Sequence, residues 1–546
     1  MSLCLCVSHL TNYKNMKNLK ILLLLTISLV PLTAVFAQLN KELLKTPVNN
    51  SSWWAGIINK GDMMPLQNGS SGTFYSNYGN QVNPLLISND GQTIWSEDPF
   101  EFEVKDDTIY AYSKTNNLLY NKTGNTLKDA FLYAVKTYFP PSGKMPDELL
   151  FSAPQYNTWI ELMYDQNQKD ILKYAHSIID NGFPPGVLMI DDNWQEDYGK
   201  WDFHPGRFPS PELMMDTLHA LGFKVMLWIC PFVSPDCDVY RELDAGNLLL
   251  KSPENIDTVN NSAIIRWWNG ASAELDLSNP ETQEWFHEQL DYLQKKYGVD
   301  GFKFDAGDFE FYENVTSFKK NVTPQEQCEL YARIGLEYPL NEYRAMWKMA
   351  GQPLVNRLRD KAHKWKDVQK LIPDILLQGI AGYNFTCPDM VGGGEFTSFL
   401  KGAETDQDMI VRSAQIHALM PMMQFSVAPW RILDDAHLAA VKKAVEIRKE
   451  YTPLILELAK ESARTGEPVV RSLEYVFPHQ GYENIKDEFM LGNRILVAPI
   501  VTKDNERTIV LPKGKWKDNK GKTIKGPKKI TVEIKLDEIP VFELIK

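Results

Sequence analysis

Cysteine and histidine are scarce in this sequence, six and nine residues among 546. Cys4 and Cys6 stand ahead of an N-terminal apolar segment, and Cys230, Cys237, Cys328 and Cys387 lack the close paired spacing of a zinc site. No structural metal and no cofactor is therefore expected, and the absence of a His-x-His strand end argues against metal-dependent hydrolysis. An oxidising compartment permits a Cys230 to Cys237 bridge. Buried free thiols are an equal alternative, because Cys230 ends a very apolar run.

Positive charge is also short. Lys and Arg number 58 against 70 Asp and Glu, a net charge of -12, which repels a phosphate backbone and excludes nucleic acid as the expected partner. The one basic run, Lys513 to Lys529, is broken by Gly and Pro and reads as a solvated hairpin or loop. Long apolar runs are missing apart from Ile21 to Leu32, which follows Lys17 and Lys20 and precedes Val35-Phe36-Ala37, a small-residue cleavage site. That is the pattern of a cleavable signal peptide within residues 1–37, with translation starting at Met16 and the mature chain at Gln38. The run is too short for a comfortable membrane span and no Cys follows it to take a lipid. The expectation is release to the periplasm or the cell exterior, with no membrane span in the mature chain.

What is present is an ordinary globular composition, 44% hydrophobic and 23% charged, in a chain too long for one core. Residues 38–150 are rich in Asn, Ser and Gly, with alternating runs such as Thr108-Ile109-Tyr110-Ala111-Tyr112, and read as an all-β N-terminal sandwich. Residues 151–455 alternate short apolar runs with helical stretches, the texture of parallel β/α units, and predict an α/β (β/α)8 TIM barrel. Residues 456–546 return to short β runs and predict a C-terminal β-sandwich.

Three of the barrel's apolar runs end in polar residues: Gly186 to Ile190 in Asp191-Asp192-Asn193-Trp194, Lys224 to Ile229 in Cys230-Pro231, and Gly301 to Phe304 in Asp305-Ala306-Gly307-Asp308. C-terminal strand ends converge on the active site of a β/α barrel, so these carboxylates are candidates for chemistry. An Asp after a strand also caps helices, and the pattern alone does not separate the two roles. Cleaving a glycosidic bond with retention needs two carboxyl groups about 5 to 5.5 Å apart, one to attack the anomeric carbon and one to protonate the leaving oxygen.

The order Trp268-Asn269-Gly270, then Leu277-Ser278-Asn279-Pro280, then Asp300-Gly301-Phe302-Lys303-Phe304-Asp305 resembles glycoside hydrolase family 31, which holds α-glucosidases, α-xylosidases and some α-galactosidases. The resemblance implies Asp305 as nucleophile. It also implies an acid/base Asp followed by Trp at the fifth position, preceded by Arg at the sixteenth, and followed by an Asp before a Gly-rich turn at the twenty-ninth. Asp360 has Trp365, Arg344 and Asp389 at those offsets. Asp360 is the implied acid/base and Arg344 a stabiliser of the anion. Asp389 becomes a structural or sugar-binding residue, and an exposed salt bridge within Arg357 to Lys361 is the plain alternative for Asp360. Near-neutral chemistry asks for Asp360 against apolar or negatively charged surroundings.

Sugar binding is implied for Asp191, with Asp192 second, and for the aromatic faces of Trp194, Trp228 and Trp268. Lys303 stands where glucosidases carry Trp, and Ser426 where they carry a sugar-binding His. Lys two residues before the nucleophile, with Asp-Asp-x-Trp, is similar to α-galactosidases of the related clan. Within the family, Cys387-Pro388-Asp389-Met390-Val391-Gly392-Gly393 and Gln424-Phe425-Ser426 resemble the myogenesis-regulating glycosidase group. The expectation is a retaining, exo-acting α-glycosidase acting on an oligosaccharide or glycoside, with an α-galactoside preferred. The alternatives are an α-glucosidase or α-xylosidase, and a carbohydrate-binding protein without turnover.

Overall fold

The computed structural model describes residues 42–253, 261–400 and 402–545, and the segment read as a signal peptide lies outside the described residues. Alternation in Thr108–Ser113 produces a strand whose Ile109, Ala111 and Ser113 are buried while the residues between them are not. It joins Glu42–Pro47, Phe100–Lys105 and Ser71–Thr73 in one antiparallel sheet. A second sheet is built on Gln81–Ser88, which is buried at every position and pairs with Trp53–Ile57 and Gln92–Trp95. Met346–Trp347, from a loop of the barrel, adds in parallel to Gln81 and Val82, so this sheet and the barrel share a ladder.

The N-terminal region is not all strand. Leu127–Thr137 is a helix whose first turn is closed by a capping box between Thr126 and Asp129. The short side chain of Asp129 stands where Glu or Gln usually completes such a box, which weakens the signal in the sequence.

Eight parallel strands form the barrel: Gln155–Asn157, Val187–Ile190, Lys224–Ile229, Gly301–Phe304, Asn341–Tyr343, Asn356–Arg357, Thr386–Cys387 and Gln424–Phe425. They pair in sequence order, the eighth returns to the first, and the seventh meets the eighth through the bridge of Met390 to Gln424. Val187 to Ile190 are all fully buried. Burial of each such Val, Leu, Ile or Met side chain is worth about 1.5–3 kcal/mol, so the run forms a strand covered on both faces.

The boundary expected at 455/456 falls inside the helix Asp435–Thr465, which continues through Pro453 and stops at Gly466 in the left-handed conformation. The C-terminal domain is an antiparallel sheet in the order Val470–Arg471, Phe489–Leu491, Ile495–Val497, Val541–Leu544, Glu506–Asp518, Thr523–Glu533. The basic run lies in the hairpin of its last two strands, with Lys515 paired to Lys525. Cys230, Cys237, Cys328 and Cys387 are free, buried thiols. Among the described residues no helix is long and apolar enough to cross a membrane.

Candidate active site

The C-terminal ends of the barrel strands open on a cavity of about 1020 Å³. Asp191, Asp192, Trp228, Trp268, Lys303, Asp305, Arg344 and Asp360 all line it, which brings together eight of the residues singled out above.

Asp305 follows the fourth strand, its backbone N–H donating to Ile229 O at 2.8 Å. The turn after it is tight, with Ala306 at φ 60° and Gly307 at φ 73°, and a Cβ at position 307 would stand 2.5 Å from Tyr331. Ala306 N donates to Asp305 Oδ1 at 2.9 Å, Arg344 Nε to the same oxygen at 3.1 Å, and Trp228 Nε1 to Oδ2 at 3.1 Å. Burial opposes ionisation of this carboxyl, but Arg344, Lys303 and Arg357 outweigh it and hold Asp305 well below the usual carboxylate range. It is an anion with both oxygens oriented, as a nucleophile requires.

Arg344 is itself clamped. Its Nη2 pairs with Asp308 Oδ2 at 2.5 Å and its Nη1 donates to Asp308 Oδ1 at 3.0 Å and to Gly79 O at 2.8 Å. Asn77 Nδ2 donates to the same Asp308 at 2.8 Å. The loop from Tyr75 to Gly79 therefore reaches from the N-terminal domain into the cavity wall. Sequence reasoning missed it, although a Tyr-Ser-Asn-Tyr-Gly run between two strands is the kind of polar, aromatic loop that lines binding sites.

Asp360 comes just after the sixth strand and is 43% exposed at its side chain, open to the cavity. Arg357 Nη1 donates to Asp360 Oδ1 at 2.7 Å and to Asp389 Oδ1 at 2.9 Å. Glu342 Oε1 stands 3.1 Å from Arg357 Nε as an opposing charge, though the two are not aligned as a hydrogen bond. Arg357 is fully buried, so the ion pair within Arg357 to Lys361 exists but is not an exposed one. The surroundings expected for Asp360 are corrected in part. A negative neighbour, Asp389, is present, but an arginine lies between the two carboxyls.

Asp389 does not line the cavity. It is fully buried at φ 86° and takes backbone N–H bonds from Lys361 at 2.8 Å and Gly394 at 3.0 Å. Burial, then the charge of Asp360, pushes it up to about 7 against the pull of Arg357. Its role is to tie the loop carrying Asp360 to the seventh strand.

Lys303 Nζ donates to Asp191 Oδ2 at 2.6 Å, deep in the cavity floor. Burial would lower the lysine, but Asp191, Asp305 and Glu342 together outweigh it and the ammonium is raised above its ordinary value. Asp192 accepts from Tyr198 Oη at 3.1 Å and from Asn269 Nδ2 at 2.6 Å, and burial followed by the charge of Asp191 pushes it up to about 7.

Two expected sugar contacts are corrected. Trp194 is fully buried, donates Nε1–H to Trp228 O at 2.8 Å and packs on Phe203, so it supports Trp228 from beneath. Ser426 is fully buried, and its Oγ accepts from Ile160 N at 2.8 Å, joining the eighth strand to the short helix after the first. Both follow barrel strands in sequence, yet neither side chain reaches the cavity.

Residues 150–356 match the model of the glycosyl hydrolases family 31 TIM-barrel domain, and residues 466–543 that of the glycosyl hydrolase family 31 C-terminal domain. The chain belongs to glycosyl hydrolase family 31. Among curated relatives of this family-31 chain, the myogenesis-regulating glycosidase of Mus musculus is 32% identical over 434 residues, 77% of this chain and 60% of that one. Alpha-glucosidase 2 of Bacillus thermoamyloliquefaciens is 23% identical, over 81% of this chain and 58% of that one. The chain thus spans about 60% of the length of these relatives. A Flavobacterium johnsoniae family-31 dextranase complexed with glucose aligns with a TM-score of 0.80 at 19% identity, over 92% of this chain and 66% of that one. A family-31 alpha-xylosidase from a soil metagenome gives the same TM-score and identity, over 92% of this chain and 79% of that one. At that identity the likeness shows a shared fold.

Proposed function

We propose that this family-31 protein is a retaining, exo-acting α-glycosidase with a preference for α-galactosides. The observation that carries the reaction is the pair of aspartates lining one cavity: Asp305, held as an anion by Arg344 and Trp228, and Asp360, open to the cavity. A carboxylate oxygen of Asp305 attacks C1 of the bound sugar while the bond to the leaving oxygen breaks and Asp360 supplies that oxygen with a proton. Asp360, now ionised, takes a proton from water, and the resulting attack on C1 releases Asp305. The contacts that hold Asp305 ionised also make it a good leaving group in this second step.

The sugar preference rests on Lys303 and Asp191, a buried donor and acceptor side by side at the cavity floor. A galactose ring turns its axial hydroxyl out of the ring plane, where an ammonium and a carboxylate can both hold it. A bulky tryptophan at position 303, as in glucosidases, leaves no such pair. Release of nitrophenol from the α-galactoside is expected to exceed that from the α-glucoside and the α-xyloside. Equal or reversed rates remove the galactose preference and leave the α-glucosidase or α-xylosidase reading. Saturable sugar binding with no product from any glycoside supports a binding protein instead.

Residues 16–37, read as a cleaved signal, put the enzyme in the periplasm or outside the cell. N-terminal sequencing of the exported protein tests this, with Gln38 the expected first residue.

A further inference from the structure

The turn Trp268-Asn269 joins the strands Ile265–Trp267 and Gly270–Glu274 at the cavity mouth. Trp268 is 49% exposed, an unusual state for an indole, and its ring stands 5.7 Å from the guanidinium of Arg344, the residue that holds the nucleophile. Phe232 and Val233 pair with Glu274 and Ala273, which anchors the hairpin at its far end. At the turn end the ladder is only Ile265 with Ser272, Arg266 with Ala271 and Trp267 with Gly270. A ladder that short does not fix a turn by itself.

Asn269 supplies what the ladder lacks. Its Nδ2 donates to Asp192 Oδ2 at 2.6 Å and to Tyr198 Oη at 2.9 Å, and its Oδ1 accepts from Tyr164 Oη at 2.7 Å. One amide thus joins the turn to the loops that follow the first and second barrel strands. Asp192 has Tyr198 on its other oxygen. Both of its oxygens are therefore engaged with protein.

We propose that Asn269 is a positioning residue: by clasping Asp192, Tyr198 and Tyr164 it holds Trp268 as the platform on which the sugar packs, and Asp192 acts on substrate binding through this clasp rather than by gripping a hydroxyl. The inference rests on the glycosidase reading and gives it a further specificity element. A flat apolar ring face offers a sugar packing contact only if the ring is already in place, because ordering a loose turn on binding costs affinity.

The test exchanges donor and acceptor across the 2.6 Å contact. Asn269→Asp alone sets two carboxyl groups against each other, and Asp192→Asn alone sets two amides there. Each is expected to raise KM for the nitrophenyl α-galactoside by about tenfold, with kcat changed by less than about threefold. The double variant restores the pair and is expected to return KM to within about threefold of the parent. Hydrogen exchange across residues 265–270 gives a readout independent of turnover. It should quicken in each single variant and slow again in the double.

A double variant that recovers its exchange pattern but keeps the KM of Asp192→Asn overturns the proposal, because Asp192 then touches the sugar itself. Single variants that leave exchange and KM unchanged overturn it as well. A parent protein inactive on every glycoside removes the glycosidase reading alone, and the exchange arm still supports or overturns the clasp.

Discussion

Replacing Lys303 by Met keeps most of the side-chain stem and removes the charge. Lys303 Nζ stands 2.6 Å from Asp191 Oδ2, and the two side chains are 5% and 3% exposed. The substitution leaves a buried carboxylate without its counter-ion, a change that costs about 3–5 kcal/mol when one partner of a buried pair is removed. A second effect falls on the proposed nucleophile, because Lys303 is one of the positive charges holding Asp305 down. Its loss moves the acid limb of kcat/KM to higher pH. The double variant Lys303→Met, Asp191→Asn removes the stranded charge and should regain most of the stability while staying poorly active, since the pair proposed to hold the sugar does not return. Urea unfolding of the parent, the single and the double at pH 7, with pH profiles on the nitrophenyl α-galactoside, measures both effects. A single variant within about 1 kcal/mol of the parent, or a double less stable than the single, refutes the reasoning.

Asp360→Ala should lose far more activity on an alkyl galactoside than on the nitrophenyl substrate, because a good leaving group needs little acid assistance; equal losses count against Asp360 as the acid. Arg357→Met leaves Glu342, Asp360 and Asp389 without the cation that separates them, and a loss of about 3–5 kcal/mol in denaturant unfolding is expected. Glu488 carries a pH signature of its own. Burial pushes its carboxyl up to about 8 against Arg507, so the unfolded chain releases this proton first, and stability falls as pH rises from about 4.3, its unfolded value, toward 8. Glu488→Gln should remove that slope and raise Tm relative to the parent at pH 8 more than at pH 5; a parallel shift at both pH values contradicts the assignment.

The strand-end aspartates were legible because position 305 follows a buried run and because Asp360 keeps fixed offsets to Arg344, Trp365 and Asp389. Lys303 on the fourth strand and Asp191 after the second were each legible as sugar-binding candidates, but the third strand lies between them and their pairing was not. Side-chain direction was not legible. Trp194 and Ser426 come after barrel strands too, but one indole turns down onto Trp228 O and one hydroxyl turns to Ile160 N. The charged run Arg357 to Lys361 allows an exposed salt bridge as the plain alternative for Asp360, while the strand turns the Arg357 side chain inward beside Glu342 and Asp389. The loop at Tyr75 to Gly79 lies more than 200 residues from Asp308 and Arg344 in the chain, and no local pattern announces a contact of that separation. The helix runs on through Pro453 to Thr465, past the boundary expected at 455/456, although proline ordinarily interrupts a helix.

The account depends on a covalent bond to Asp305. A fluorinated α-galactosyl fluoride, whose transfer to the enzyme is fast and whose release is slow, should accumulate as a glycosyl-enzyme. Proteolysis and mass spectrometry should then place one added sugar on the peptide containing Asp305, with no label on Asp305→Asn. A label on Asp360 or another carboxylate, or turnover that inverts the anomeric centre without any covalent species, contradicts the central claim.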